Sequence, residues 1–229
     1  MLTKRLAAVA LAAAFFLYSP SLRARQDSDE ARRLRDASTV FSEIMAAEDK
    51  SIPQAILGKA EGIAIFPSTL KGGFIVGGMR GRGVLSARNS GTWSAPAFLT
   101  LTGGSLGLQI GGQAADIILV IQDRRGLENL VRNQFKLGAD VGVAAGPVGR
   151  NGEASTDLQM RAQILSYSRS RGLFAGITIN GSTVRQDRDA NARFYGKPLE
   201  MQQIVFGGAV TQPPDPVSGW LETLNRFAR

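Results

Sequence analysis

Three short apolar runs decide the fold of this 229-residue chain. Residues 62–66 read Gly-Ile-Ala-Ile-Phe, residues 97–102 read Ala-Phe-Leu-Thr-Leu-Thr, and residues 117–121 read Ile-Ile-Leu-Val-Ile. β-Branched and aromatic residues favour strands, and runs this short are typical of strands rather than helices. They predict buried strands at the centre of the molecule.

Further strand-like runs fill the interval between residues 62 and 181, which also holds most of the 27 glycines. Asn89-Ser90-Gly91 and Asn151-Gly152 fall where hairpin loops are expected. Because glycine inside a strand marks a bulge, a bend or a close backbone approach, we predict a strongly curved or closed, barrel-like antiparallel sheet. The predicted strands are residues 62–66, 74–78, 84–88, 97–102, 106–112, 117–122, 140–145, 162–169 and 173–180.

Helices are predicted before, within and after this sheet. From Ala31 to Ala47, apolar residues recur every three or four positions, which is the spacing of one helical face. A short helix at Gln54–Lys59 follows, Arg124–Lys136 interrupts the strands, and the last part of the chain carries helices at Asp187–Tyr195 and Gly219–Arg229. The predicted fold class is α+β, with N-terminal helices, one inserted helix and C-terminal helices.

Residues 1–24 are predicted to be a secretory signal peptide. Lys4 and Arg5 precede the apolar run Leu6 to Leu17, and a polar segment then ends at Ala24. A membrane-spanning helix needs about 20 apolar residues, so cleavage near Ala24 is favoured over a membrane anchor. With no cysteine in the chain, a bacterial lipoprotein anchor is excluded. We expect residues 25–229 to form one domain that is periplasmic or secreted.

The absence of histidine and cysteine limits the possible chemistry. It excludes Ser-His-Asp and Cys-His nucleophile systems and metal sites built on imidazole or thiolate, and no cofactor or metal is predicted. Ser68 and Lys71 match the S-x-x-K spacing of serine hydrolases, but they join two predicted strands and the partner motifs of those enzymes are missing. We therefore expect a surface turn there, no catalytic residues and no enzymatic activity.

The charge balance favours anionic partners. The net charge is +8, and removing Lys4, Arg5 and Arg23 leaves 24 basic side chains against 19 acidic ones, or +5. Such a surface suits phospholipid head groups or anionic envelope polymers. Nucleic acid is not expected as a partner of an exported protein.

Two basic segments supply the candidate lipid-binding residues. They are Arg32, Arg33, Arg35 and Phe41 in the first helix, and Lys71, Arg80 and Arg82 beside glycine-rich turns. The apolar face from Leu34 to Met45 is either part of the core or the inserting face of an interfacial helix. The glycines either serve sheet curvature while the cations are solvated, or expose backbone N–H groups to an oxyanion.

Five motifs, in order and spacing, resemble the SYLF domain family. They are Gly62–Pro67, Lys71–Phe74, Gly91–Pro96, Gly146–Gly149 and Ser170–Gly176. The resemblance extends from about Ala31 to Phe227. It implies a phospholipid-binding module with no enzymatic activity, with phosphoinositide ligands in eukaryotic members and a link to actin in fungal members. It also implies membrane contact through an N-terminal amphipathic helix, which corresponds to Ala31–Ala47 here.

From the residues and this resemblance together, we predict a non-enzymatic, peripheral phospholipid-binding protein of the cell envelope that contacts anionic, phosphoinositide-like head groups. The alternative is a structural or adaptor protein that binds another envelope protein. Actin is expected to be an improbable partner because the protein is predicted to be exported.

Overall fold

The computed structural model describes residues 28–47, 51–73, 77–105, 113–132, 134–149, 162–170 and 172–229. Three features predicted above lie outside these residues: the signal peptide, the strand at residues 106–112 and the hairpin turn Asn151-Gly152. Most of the strand predicted at residues 74–78 lies outside them as well.

Six helices and ten strands are formed by the described residues. The helices are α1 (Asp29–Ala46), α2 (Gln54–Leu57), α3 (Arg124–Arg132), α4 (Arg188–Tyr195), α5 (Met201–Val205) and α6 (Pro216–Phe227). The strands are β1 (Gly62–Gly73), β2 (Gly77–Asn89), β3 (Thr92–Trp93), β4 (Ala97–Ser105), β5 (Gln113–Ile121), β6 (Phe135–Lys136), β7 (Val143–Ala145), β8 (Ile164–Ser170), β9 (Leu173–Gly176) and β10 (Thr183–Gln186).

The strands form one curled sheet in the order β6-β10-β4-β2-β1-β5-β8-β7, with β3 paired to β2 and β9 paired to β8. The pairs between these strands are antiparallel except for β7 with β8. The sheet curls into a half-barrel. The predicted α+β class with a strongly curved antiparallel sheet is confirmed.

Alternation along β1 divides the core into two layers, because successive side chains of a strand point to opposite faces. Ile63 and Ile65 belong to a buried cluster that includes residues of α1 and α6. Ala64 and Phe66 belong to a second cluster that includes residues of α3 and α5. The sheet is therefore covered by helices on both faces; the face that packs against α1 is called the α1 face below.

A bulge in β1 explains the glycines of β2. The pairing of β1 with β2 shifts register between Ile65 and Leu70. A Cβ added at Gly83 would lie 2.4 Å from the Ile65 carbonyl oxygen, and one at Gly81 would lie 2.3 Å from Thr69 Oγ1. The prediction that strand glycines mark bulges and close backbone approach is confirmed here.

Helix α1 is anchored at its start and along its apolar face. The Ser28 side chain accepts a hydrogen bond from the Ala31 N–H, which satisfies one of the free donors of the first turn. Phe41 is fully buried, and its ring makes an edge contact with Phe227 of α6 at 6.0 Å between centroids. Of the two interpretations of the Leu34 to Met45 face, the structure shows a core face, with Leu34, Ala37 and Ile44 also buried.

Several predicted boundaries were wrong. The inserted helix ends at Arg132 rather than Lys136, and Phe135 lies in β6, where it pairs with Val184 of β10. The strand predicted at residues 173–180 ends at Gly176. Strand β10 and helix α5 were not predicted. The structure describes no helix that is long and apolar enough to cross a membrane.

Ser68 and Lys71 also differ from their prediction. They lie inside β1, at and just after the bulge, rather than in a turn between two strands. Ser68 has a φ of 48°, in the left-handed region that side chains other than glycine rarely adopt. Its backbone N–H donates to Asp116 Oδ1 at 2.9 Å, which holds the bulge against β5.

Candidate functional site

A groove of about 300 Å³ runs between the first turns of α1 and the centre of the sheet. It is lined by Asp29, Arg32, Arg33, Asp36, Pro67, Ser68, Leu70, Arg80, Gly81 and Arg82. Four of these residues are arginines and two are aspartates. We call this feature the arginine groove. It brings together cations from both of the basic segments that the sequence singled out.

Strand β2 forms one wall of the groove with the sequence Arg80-Gly81-Arg82-Gly83. Because a strand alternates its faces, Arg80 and Arg82 share the α1 face, while Gly81 and Gly83 share the opposite face, against the β1 bulge. Both arginines are exposed, and neither forms an ion pair with another residue in the part of the chain described. The Cα atoms of Arg80 and Arg82 are thus about 7 Å apart along one strand, and the like charges of the two side chains favour binding of an anion beside them.

The α1 wall contributes one accessible arginine and one buried arginine. Arg32 is exposed and pairs with Asp29 one turn earlier in the helix. An exposed pair of this kind is weak, so Arg32 can exchange Asp29 for another anion at little cost.

Arg33 has a structural role at the base of the groove. Its Nη1 donates to Asp187 Oδ2 at 3.2 Å, and its guanidinium lies 5.2 Å from the centre of the Phe98 ring. Burial lowers the pKa of Arg33, while the Asp187 carboxylate acts in the opposite direction. Asp187 also caps α4 by accepting from the Ala190 N–H, so this pair ties α1 to α4.

The remaining predicted contact residues lie elsewhere. Arg35 is exposed on α1 but does not line the groove. Phe41 is a core residue, so the expectation that it faces a lipid surface is not met in this structure. Lys71 follows Leu70 in β1 and points to the other face of the sheet. It is half-buried, and this burial lowers its pKa.

Arg185 was not among the candidate residues selected from the sequence. This exposed residue of β10 pairs in register with Thr100 of β4, which in turn pairs with Arg82 of β2. Paired residues of adjacent strands share a face, so Arg185 extends the basic surface beyond the groove. Alternating polar and apolar residues along β10 could have indicated the face on which Arg185 lies. A strand of only four residues, however, gives a weak pattern.

A second group of charges lies beside the groove and stabilises the fold. Arg169 donates through Nε to Asp116 Oδ2 at 2.8 Å and through Nη1 to Glu43 of α1. Asp116 of β5 thus forms an ion pair with Arg169 of the neighbouring strand β8. Arg169 is occupied by two carboxylates and thus offers less charge to a ligand than Arg80 and Arg82 do.

This arrangement suits anion binding. Guanidinium groups present several N–H donors in a planar fork that matches phosphate oxygens. The groove is open and holds Arg32, Arg80 and Arg82 at its surface. Among the residues described, no cluster of acidic side chains could hold a metal ion.

Residues 102–227 match the family described as Ysc84, Las17-binding protein actin regulator. The chain belongs to this family, which is also known as the SYLF domain family. The SYLF resemblance noted from the sequence motifs is thereby confirmed. The family's description names a binding and regulatory protein rather than an enzyme.

The match extends to full-length relatives in animals and yeast. SH3 domain-containing YSC84-like protein 1 of Rattus norvegicus is 35% identical over 202 residues, which are 86% of this chain and 58% of that protein. The Homo sapiens protein of the same name is 34% identical over the same coverage. Protein YSC84 of Saccharomyces cerevisiae is 35% identical over 181 residues, 76% of this chain and 38% of that protein. The chain thus spans about half the length of these relatives, or less.

Proposed function

We propose that this protein is a non-enzymatic, peripheral lipid-binding protein whose arginine groove contacts anionic phospholipid head groups. The observation that carries the proposal is the convergence of Arg32, Arg80 and Arg82 on one open groove, although Arg32 is far from the other two in the chain. Two of the three make no ion pair with other described residues, so a phosphate can bind them without first displacing a carboxylate.

The strength of such binding follows from the number of cations. Each Lys or Arg near an anionic membrane surface contributes about 1 kcal/mol, so three give reversible, salt-sensitive attachment. The groove is shallow and polar, which fits a head group better than a whole lipid. A head group with a second phosphate would contact both walls of the groove. A phosphoinositide-like head group would therefore bind more tightly than one with a single phosphate.

The place of action is part of this proposal. Residues 1–24 carry the pattern of a secretory signal peptide, so the lipid surface is assigned to the cell envelope. All the helices and strands described lie between residues 28 and 229, so a protein beginning at residue 25 contains the whole described fold.

Co-sedimentation of residues 25–229 with vesicles tests the ligand class. We expect binding to vesicles of phosphatidylcholine with phosphatidylglycerol, little binding to pure phosphatidylcholine, and weakening as salt is raised from 50 to about 500 mM. A double variant, Arg80→Gln with Arg82→Gln, should lose most of the binding. Arg125→Gln with Arg132→Gln makes the same charge change on α3, on the opposite face of the sheet, and should retain it. Equal binding to neutral and anionic vesicles would overturn the proposal.

A protein partner is the second candidate, and the relatives' names support it. LAS seventeen-binding protein 3 of Saccharomyces cerevisiae is 35% identical over 193 residues, 82% of this chain but 42% of that protein. The comparisons therefore give no support to the expectation that actin is an improbable partner. Co-sedimentation of residues 25–229 with actin filaments, in the absence of lipid, would detect such binding directly. Binding to filaments without binding to any vesicle would favour this second candidate.

A further inference from the structure

Two rows of register partners extend from the arginine groove across the sheet. In the first row, Arg82 of β2 pairs with Thr100 of β4, and Thr100 pairs with Arg185 of β10. Paired residues share a face, and Phe98, two residues before Thr100, belongs to the buried cluster that contains α1 residues. The first row therefore lies on the α1 face. Two strand spacings of about 4.8 Å separate its ends, so the Cα atoms of Arg82 and Arg185 are about 10 Å apart.

The second row lies beside the first, two residues away along β2, β4 and β10. Its pairs are Arg80 with Thr102, Thr102 with Thr183, and Thr183 with Lys136 of β6. Phe135, next to Lys136, belongs to the buried cluster of the opposite face, so Lys136 lies on the α1 face. Three strand spacings separate Arg80 from Lys136, or about 14 Å between Cα atoms. We call the residues of the two rows the cation strip.

The cations of this strip are open to solvent and carry no ion pair with another described residue. They are Arg80, Arg82, Lys136 and Arg185, and all four are exposed. Asp187, two residues after Arg185, is already paired with Arg33. Asp140 accepts from the backbone N–H of Lys136 rather than from its ammonium group. The strip therefore presents positive charge that the described acidic side chains do not neutralise.

Threonine hydroxyls lie between these cations. Thr102 is exposed, and Thr100 and Thr183 are half-buried. None of the three hydroxyls forms a hydrogen bond with another described residue. A hydroxyl both donates and accepts, so each can exchange hydrogen bonds with a ligand that carries hydroxyl groups of its own.

We propose that the cation strip binds a linear anionic polysaccharide, a chain of carboxylated or sulfated sugars that crosses the strands from β2 to β6. Its acidic groups contact the cations at the ends of the two rows, and its sugar hydroxyls bond the threonines between them. This binding goes beyond the lipid function proposed above. It shares Arg80 and Arg82 with the arginine groove but also requires Arg185 and Lys136, which do not line the groove.

The composition of the strip favours a sugar polymer over other partners. A protein interface has a closely packed apolar centre, whereas the two rows contain only cations and threonines. Proteins that hold single-stranded nucleic acid stack its bases on aromatic side chains, and no position in the two rows is aromatic. Spaced cations with hydroxyls between them match a polymer that repeats acidic groups among hydroxyl-rich sugars.

Fluorescence polarisation with a labelled heparin octasaccharide tests the ligand class. Residues 25–229 are titrated into the probe at about 50 and about 500 mM salt, with labelled neutral dextran as the control. We expect saturable binding that weakens as salt rises, and no binding to dextran. A heparin disaccharide should bind at least tenfold more weakly, because it is too short to contact both ends of a strip about 14 Å long.

A matched pair of double variants separates the strip from the net charge. Lys136→Gln with Arg185→Gln should weaken octasaccharide binding about tenfold or more and change binding to anionic vesicles little. Arg125→Gln with Arg132→Gln makes the same charge change on α3 and should retain octasaccharide binding. All four residues are exposed, so the thermal unfolding midpoint should not change in either variant.

Several outcomes would overturn the assignment. Equal weakening by the two double variants would show that only net charge attracts the polymer. Parallel loss of vesicle binding in Lys136→Gln with Arg185→Gln would make the strip an extension of the lipid site. Tighter binding of an oligothymidylate than of the octasaccharide, lost in the same variant, would assign the strip to nucleic acid. Binding to vesicles without binding to the octasaccharide would disprove the strip and leave the lipid function standing, and binding to neither would contradict both proposals.

Discussion

At the scale of single residues, the sequence Arg80-Gly81-Arg82-Gly83 serves two purposes at once. Its arginines form one wall of the groove, and its glycines leave room for the β1 bulge on the other face of the sheet. The bulge in turn places Ser68 and Leu70 on the groove. Local packing and the candidate binding surface therefore depend on the same four residues.

Gly83→Ala should be strongly destabilising. The new Cβ would lie 2.4 Å from the Ile65 carbonyl oxygen and 2.5 Å from Phe66 Cδ1, so backbone as well as side chain must move. We expect a loss of about 2–3 kcal/mol in the free energy of unfolding, measured by urea denaturation. Gly78→Ala is the matched control in the same strand, since nothing lies within 4 Å of its added Cβ. Equal stability of the two variants would show that the bulge does not approach β2 as described.

Tyr167→Phe should stabilise the protein. Tyr167 is fully buried, is stacked on Phe174, and its hydroxyl has no hydrogen-bond partner among the described residues. Removing an unsatisfied buried hydroxyl should raise the free energy of unfolding by about 1 kcal/mol at pH 7. Tyr195→Phe is the control with the opposite expectation, because the Tyr195 hydroxyl donates to the Pro96 carbonyl at 2.5 Å. A loss of stability in Tyr167→Phe would indicate a partner for its hydroxyl.

The pH dependence of stability should also reflect the burial of the Tyr167 hydroxyl. Burial raises the pKa of Tyr167 above its ordinary value of 10.0. The unfolded chain therefore loses this proton before the folded protein does, so stability is present below pH 10 and falls as the pH rises above it. In urea titrations between pH 9 and 11, Tyr167→Phe should show a shallower fall than the unchanged protein. An identical slope would mean that Tyr167 ionises normally in the fold.

At the scale of secondary-structure elements, α1 is fixed from its start to its end, to α4 near its start and to the sheet near its end. Glu30 accepts from Arg193 of α4, Arg33 donates to Asp187, and Glu43 accepts from Arg169 of β8. Its apolar face is buried against the sheet and α6. In this arrangement α1 provides one wall of the groove and keeps its apolar residues away from solvent.

Substitution of Phe41 should affect stability rather than lipid binding. Phe41→Ala removes a fully buried ring and should cost about 3–5 kcal/mol of unfolding free energy, and Phe41→Leu about 1 kcal/mol. The milder variant remains folded, so its binding to anionic vesicles can be compared with that of the exposed α1 control Thr39→Ala. We expect equal binding by both. A selective loss of binding in Phe41→Leu would show that α1 leaves the core to insert into the membrane.

The sequence predicted the structure correctly where a residue pattern is typical of only one kind of structure. The apolar period of α1, the strand runs of β1, β4 and β5 and the glycines beside the bulge all predicted what the structure contains. Asp187 was recognised as the start of a helix, which it caps. Arg32, Arg80 and Arg82 were selected as cations beside apolar or glycine-rich segments, and the structure then brought them together.

What could not be predicted depends on long-range contacts. Phe135 continues the apolar period of α3, and only its pairing with Val184 shows that it lies in a strand. Arg33 and Arg32 are adjacent and chemically identical. Arg33 is structural because it pairs with Asp187, 154 residues away, whereas Arg32 is accessible. No local pattern distinguishes Phe41 in the core from a membrane-facing residue of an amphipathic helix.

At the scale of the whole molecule, both faces of the sheet carry exposed cations, but those of the α1 face include three arginines that line one groove. The α1 face carries the arginine groove, Arg185 and the exposed Leu70, whereas the exposed cations of α3 lie on the other face. A lipid site in the groove would therefore turn the α1 face of the molecule toward a membrane. The net charge alone cannot produce this orientation, because it would act equally on cations of both faces.

The most direct test of the groove is the ratio of vesicle partition constants of two charge-matched variants. Arg80→Gln with Arg82→Gln and Arg125→Gln with Arg132→Gln are measured side by side, as residues 25–229, on the same anionic vesicles at about 100 mM salt. If each groove arginine contributes about 1 kcal/mol, the first variant should bind about 30-fold more weakly than the second. A ratio near one would show that only total charge matters, and it would contradict a lipid site in the arginine groove.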